Sequence, residues 1–252
     1  MKFQYCSDLH IEFPANRKFL KKNPIRPVGE VLFLAGDILV FAEMKKHYDF
    51  LKYLSDNFRQ VYWVPGNHEY YQSNILERSG SFTEKIFSNF TLANNVCIEE
   101  SGVKIIISTL WSKIRDRNPG MIEYNINDFL VIRHNGWKLT AKIVNEIHQE
   151  CLEFVADALT KAKDEKTIVL THHIPTYLNY PERFRNDILN DSFAVELFDL
   201  IHSNGPDYWI YGHHHQKIDA FKIGKTNLVN NQLGYLQLKE QEGFLCDACF
   251  EL

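Results

Sequence analysis

The chain has 252 residues, 45% of them hydrophobic and 24% charged, which suits one sizeable globular domain with a substantial core. A formal charge of −4 and a pI near 6.3 exclude an overall basic footprint, so long nucleic acid is not an expected partner. The longest apolar run, VLFLAGDILVFA, is interrupted by Asp37 and too short to span a bilayer, so no membrane partner is expected either.

The opening MKFQYC reads as a buried strand that runs into Ser7-Asp8-Leu9-His10. No signal-peptide core precedes Asp8, and a cytoplasmic protein is expected. EVLFLA follows as a second strand and runs into Gly36-Asp37. Met44, Tyr48, Leu51, Leu54 and Phe58 then share one helical face. VYWVP runs into Gly66-Asn67-His68-Glu69, and KIIIST is a fourth strand. Segment 110–137 mixes Arg, Asn and aromatics with Pro119-Gly120, fits neither period, and is expected to form a lid. Val144, Ile147, Cys151, Val155 and Ala158 mark a second helix, after which TIVLT runs into His172-His173-Ile174-Pro175. A third helix is predicted from an N-cap at Asp191 through Phe193, Leu197 and Leu200 to the stop signals Gly205 and Pro206. DYWIYG leads into His213-His214-His215, and the tail IDAFKIGKTNLVNNQLGYLQLKE reads as successive short strands. Strands alternating with helices predict a layered α/β architecture in a single domain. Five scattered cysteines fit a reducing compartment; Cys246-x-x-Cys249 lacks the second pair that a zinc knuckle needs and is expected to be structural.

Ligand-type residues fall at the ends of five strands. Asp8, Asp37 and Asn67 lie 29 and 30 positions apart, about one βαβ unit each, and the carboxyl edge of an open α/β sheet is where ligands bind. Asp8 and His10 project from one side of an extended chain, and alternation sends His213 and His215 one way and His214 the other. Two carboxylates, an amide oxygen and at least four imidazoles, with no thiolate, suit Mn, Fe, Zn or Co. They are too many for one tetrahedral ion, so a pair of divalent ions sharing Asp37 is expected.

The series DLH, GD, GNHE, a histidine pair before proline, and GHHH resembles the calcineurin-like metallophosphoesterase superfamily in order and spacing, from Asp8 to His215. NDFLVIR, THHIP, PDYWIYGHHH and NQLGY are similar to a group of bacterial phosphohydrolases of undefined substrate. The resemblance implies a four-layered α/β/β/α sandwich of the metallo-dependent phosphatase type with a dinuclear site. It further implies that Asp8, His10 and His215 hold one metal, that Asp37 bridges, and that Asn67, His213 and one of His172 and His173 hold the other. His172 directly follows its strand, whereas the family's spacing back from Pro175 points to His173. His68 is implied as the histidine that binds no metal and protonates the leaving group, while a hydroxide shared by the ions attacks phosphorus. Many members carry GDxxD, whose second Asp orients that histidine. Val40 stands there in this chain, and Asp8, Glu12 and Glu43 are the available acids.

The expected activity is hydrolysis of phosphate monoesters or diesters of a phosphorylated small molecule, with Mn the ion favoured for assays. Arg133 is an expected substrate contact, with Arg115 and Arg117 either joining it or forming a solvated face. Tyr177 and His214 are expected at the mouth of the site, and Glu69 and Tyr70 as supports of their loop. His47, His134, His148 and His202 lie outside any motif and are expected to pack or face solvent. Two alternatives compete: a nuclease or cyclic-nucleotide phosphodiesterase with the same metals, and a phosphoesterase-like scaffold without catalysis. The complete set of ligand types weighs against the scaffold.

Overall fold

Short runs of β-branched and aromatic residues supply the framework, because such side chains pack well on a pleated surface. The computed structural model describes residues 1–252. The first half contains β1 (Lys2–Cys6), α1 (Pro14–Lys22), β2 (Val31–Ala35), α2 (Tyr48–Asn57), β3 (Gln60–Val64), β4 (Phe82–Phe87), β5 (Phe90–Asn94), β6 (Val96–Glu100) and β7 (Val103–Ser108). Next come α3 (Pro119–Asn125), α4 (Asp128–Val131), β8 (Arg133–His134), β9 (Trp137–Lys138), α5 (Ala141–Lys161) and β10 (Thr167–Thr171). The chain ends with α6 (Phe198–Asn204), β11 (Tyr208–Ile210), β12 (Phe221–Ile223), β13 (Thr226–Val229) and β14 (Cys249–Glu251).

Two six-stranded sheets form, in the orders β14-β1-β2-β3-β5-β4 and β12-β13-β11-β10-β7-β6. In each, the four inner strands are parallel and the two edge strands antiparallel. Alternation along the inner strands divides their side chains between two faces. Phe3, Val31, Phe33, Ile105, Ile107, Ile168 and Leu170 meet in one cluster between the sheets. Leu32, Leu34, Trp63, Ile106, Val169 and Trp209 face outward and join the larger cluster formed with the helices. Helix α2 lies on β3, and α5 lies on β7. The order of layers is therefore α/β/β/α, as the family resemblance implies.

The predicted strands and the first two helices are present, with α5 capped by the Thr140 hydroxyl, which accepts from the Ile143 N–H. The third helix is shorter than expected. A 3-10 turn covers Ile188–Ser192, and α6 begins only at Phe198. The Asp191 carboxylate caps nothing: it is buried and accepts from the backbone and guanidinium of Arg115. The next residues run extended along Ile174 and Pro175, where Val195 and Leu197 donate to the two carbonyls. Long-range pairing overrides helical spacing here. The tail forms two successive short strands, β12 and β13, as expected, paired as a hairpin that turns at Gly224. Beyond β13 the chain crosses to the first sheet, where Leu233 donates to Ser7 and Gly234 donates to Asp8. Cys249 sits in the edge strand β14, and the Cys246 thiol meets the Asn23 carbonyl at 3.3 Å. No helix is long and apolar enough to cross a membrane.

Candidate metal centre

Five of the donors leave their strands through a turn that extended or right-handed helical backbone cannot make. Asp8, His10, Asp37, His213 and His215 all have positive φ, between 44° and 87°. Such conformations cost about 1–3 kcal/mol each in non-glycine residues and persist only where the surroundings over-determine them. Two glycines give the room. A Cβ at Gly66 would lie 2.2 Å from Asp37 Oδ1, and one at Gly212 would lie 2.6 Å from Asp8 Oδ2.

The donors gather in two groups joined by Asp37. Asp8, His10, Asp37 and His215 form one, and Asp37, His172 and His213 the other. In the first, His215 Nε2 is 2.9 Å from His10 Nε2 and 3.3 Å from Asp8 Oδ1, while Asp37 Oδ2 is 3.8 Å from His10 Nε2. In the second, His172 Nε2 is 3.0 Å from His213 Nδ1, 3.1 Å from Asn67 Oδ1 and 3.4 Å from Asp37 Oδ1. Asp37 thus turns one oxygen to each group. His173 is not in the set: its Nδ1 faces the Thr109 carbonyl at 3.3 Å, and its ring lies against His213.

The outer nitrogens of these imidazoles are held by groups from elsewhere in the fold. His172 Nδ1 meets the Ala35 carbonyl at 2.8 Å, and His213 Nε2 the Ser192 carbonyl at 3.1 Å. A carbonyl only accepts, so each facing nitrogen carries the proton, and in the neutral ring the inner nitrogen is left bare. His215 Nδ1 faces Glu240 at 2.7 Å and His10 Nδ1 faces Glu12 at 3.2 Å, which completes the same pattern with carboxylates. The Asn67 amide is set by Asp128, whose Oδ1 accepts from Nδ2 at 2.8 Å and also from the Tyr71 hydroxyl. The amide oxygen is thereby turned inward.

This donor set fits metal ions. Ligands about 2.1 Å from one ion lie roughly 3.0–3.4 Å from each other in octahedral or tetrahedral arrangements, and five of the six separations above are within a few tenths of that range. The buried carboxylates also call for positive charge. Burial opposes ionisation of Asp37, yet His172 and His68 hold its carboxyl well below the usual range. Burial likewise works against charged imidazoles, but Asp37 raises His172 to about 9 and Asp8 raises His215 to about 10. Without an ion, these two rings take protons as countercharge to the carboxylates; bound cations would replace those protons.

Glu69 ties two of the loops. Its carboxylate accepts from the N–H groups of Asp37, Ile38 and Gly66 and from Trp63 Nε1. Burial and the Asp37 charge push it up to about 8, against the pull of those backbone donors. His68 is adjacent to both groups without joining the Asp37 donors. Its ring stacks on Tyr71 at 4.0 Å, and its Nε2 is 3.0 Å from the Tyr235 hydroxyl.

A cavity of about 360 Å³ opens onto the centre and is lined by Asp37, Asn67, His68, His213 and His215, together with Tyr180, Arg183, Phe193, His214 and Tyr235. Asn125 to Asp128, from the excursion expected to be a lid, form part of its wall. Arg133 is outside it, and its guanidinium donates to the Leu130 and Ile132 carbonyls. Arg115 and Arg117 line a neighbouring recess with Tyr177. Arg183 is the arginine that lines the cavity. Glu240, Asp128 and Tyr235 were not picked out as site residues from the sequence; Asp128 and Tyr235 lie within NDFLVIR and NQLGY, whereas Glu240 has no local signal.

The calcineurin-like phosphoesterase family matches residues 1–217. An uncharacterized protein of Acanthamoeba polyphaga mimivirus is 30% identical over 264 residues, covering 92% of this chain and 90% of that protein. Among solved structures, the phosphopantetheinyl hydrolase of Mycobacterium tuberculosis is similar at 16% identity and TM-score 0.67, over 96% of this chain and 92% of that one. A dimetal phosphatase from Danio rerio is similar at 12% identity and TM-score 0.52, over 92% and 87%. At these identities the two structures bear on the fold. The match over residues 1–217 spans all five donor-bearing strand ends and makes the chain a member of the calcineurin-like phosphoesterase family.

Proposed function

We propose that the chain hydrolyses phosphate esters of a small molecule with the aid of two divalent transition-metal ions, Mn, Fe, Zn or Co. The observation that carries this is the convergence of four inner imidazole nitrogens with Asp8, Asp37 and Asn67 at separations suited to shared ions. Asp8, His10 and His215 would hold one ion and Asn67, His172 and His213 the other, with Asp37 offering one oxygen to each group. Bound ions of this kind supply Lewis acidity toward a water molecule and toward the phosphate oxygens. The remaining chemistry belongs to the chain. As the water oxygen bonds to phosphorus, the ester P–O bond breaks, and the leaving oxygen needs a proton. His68 Nε2 faces the cavity beside Tyr235 and donates that proton, which is worth roughly 10²–10⁴ in rate for a general acid. Arg183 and His214 line the same space and meet the substrate outside the metal ligands. Helices α3 and α4 act as the cover, bringing Asn125 to Asp128 to the cavity wall.

Protein loaded in turn with Mn, Co and Zn, assayed on aryl phosphate monoesters and diesters, tests this directly. Turnover that needs the ion and is abolished by a chelator is the expected result, and the ratio of the two rates assigns the ester class. Bound metal with no turnover of either ester under any ion would leave the non-catalytic scaffold as the function.

A further inference from the structure

His68 has a buried Nδ1 without a hydrogen-bond partner, and Glu12 has a buried Oε2 in the same condition. The two groups are neighbours. Glu12 Oε1 is 3.5 Å from His68 Nδ1 and 3.2 Å from His10 Nδ1. The rest of the imidazole is already fixed, with its face on Tyr71 and its Nε2 on the Tyr235 hydroxyl. Other acids nearby are committed elsewhere. Glu43 binds Lys46 at 2.7 Å, Asp8 accepts from the His213 N–H, and Asp128 accepts from Asn67 and Tyr71. Asp37 Oδ1 accepts from the backbone N–H of His68 and not from its ring. Position 40 is the apolar Val40.

We infer that Glu12 is the positioning residue for His68, accepting the Nδ1–H so that Nε2 is directed at the cavity. This rests on the role proposed above for His68 as proton donor. A separation of 3.5 Å exceeds a hydrogen bond, but the last torsion of Glu is soft, and its free Oε2 completes the bond after a small rotation. Catalytic hydrogen bonds commonly tighten when substrate arrives. The backbone around Glu12 is anchored, since Arg17 Nη1 donates to the carbonyls of Ile11 and Glu12 at 2.8 Å each. Oε1 is the oxygen nearest both outer nitrogens; with Oε2 turned to His68, Oε1 stays with His10, and the alignment of the proton donor is tied to that of a metal-binding imidazole.

Two measurements on the full-length Zn-loaded chain test this. Nitrogen-15 NMR of the histidines should place a proton on His68 Nδ1 in the native protein, and Glu12→Gln should shift it toward Nε2. A native His68 protonated on Nε2 alone overturns the inference whatever the activity, and so keeps its failure separate from failure of the hydrolase proposal. In turnover, alkyl phosphates need leaving-group protonation and activated aryl phosphates need it far less. Measured at saturating Zn, so that any weakening at His10 is offset, Glu12→Gln should lower the ratio of alkyl to aryl kcat by roughly 10–100-fold. The double variant Glu12→Gln/His68→Ala should be no slower on alkyl esters than His68→Ala alone, because the two residues act as one unit. Equal losses on both esters accompanied by metal loss would make Glu12 a support of His10 only and overturn the assignment.

Discussion

A neutral imidazole has one bare nitrogen for a cation, and the acceptor that meets the other nitrogen fixes which one it is; for His172, His213 and His215 that acceptor comes from a distant part of the chain. The histidines themselves are legible in the sequence as clusters at strand ends; their tautomers are not. The choice between His172 and His173 shows why. The two are adjacent and chemically identical, and what separates them is the Ala35 carbonyl beneath one ring and the Thr109 carbonyl beside the other. Asn67 is a similar case, because its amide is oriented by Asp128, 61 positions away. Asp128→Ala should free that amide to rotate and weaken one of the two metal equivalents by roughly 10–100-fold. Metal titration followed by elemental analysis should show one ion lost before the other; two equivalents of unchanged affinity would count against the role given to Asn67.

At the scale of elements, six strands were readable because a buried strand needs a mostly apolar run, and five of the six runs lead into a polar donor; the strands β4, β5, β6 and β14 lack so clear a run. Helix α6 was misread for the converse reason. The spacing of Phe193, Leu197 and Leu200 suits a helix, but the backbone of that stretch has a better partner in Ile174 and Pro175. Loops carry the site, and Glu69 holds two of them against each other. Glu69→Ala would leave four buried N–H donors without their acceptor, and such a loss costs about 1–3 kcal/mol for each unsatisfied group. Even a total of about 3 kcal/mol lowers the melting temperature of a chain of this size by roughly 6–12 °C. Differential scanning calorimetry of the chelated protein should show a drop of that order; an unchanged transition would mean that water or a rearranged loop satisfies these donors.

Across the whole molecule, the first sheet contributes Asp8, His10, Asp37 and Asn67, and the second contributes His172, His213 and His215. An ion bound by residues of both sheets would therefore clamp them together at one edge. An ion at 100 times its Kd adds about 2.7 kcal/mol to the folded state, or roughly 5–11 °C in Tm. Stepwise addition of Mn or Zn to chelated protein should raise Tm by that amount, and a flat response would argue against a centre shared by both sheets. The sequence by itself determined the layered α/β class, the strand ends and the chemical kind of the donors, since these follow from local periodicity and residue type. Only the tertiary structure decided which donors lie together, which histidine of the pair joins them and which groups meet the rings. Apart from Glu12, which is two residues from His10, those groups are remote in the chain and become neighbours only in the folded molecule.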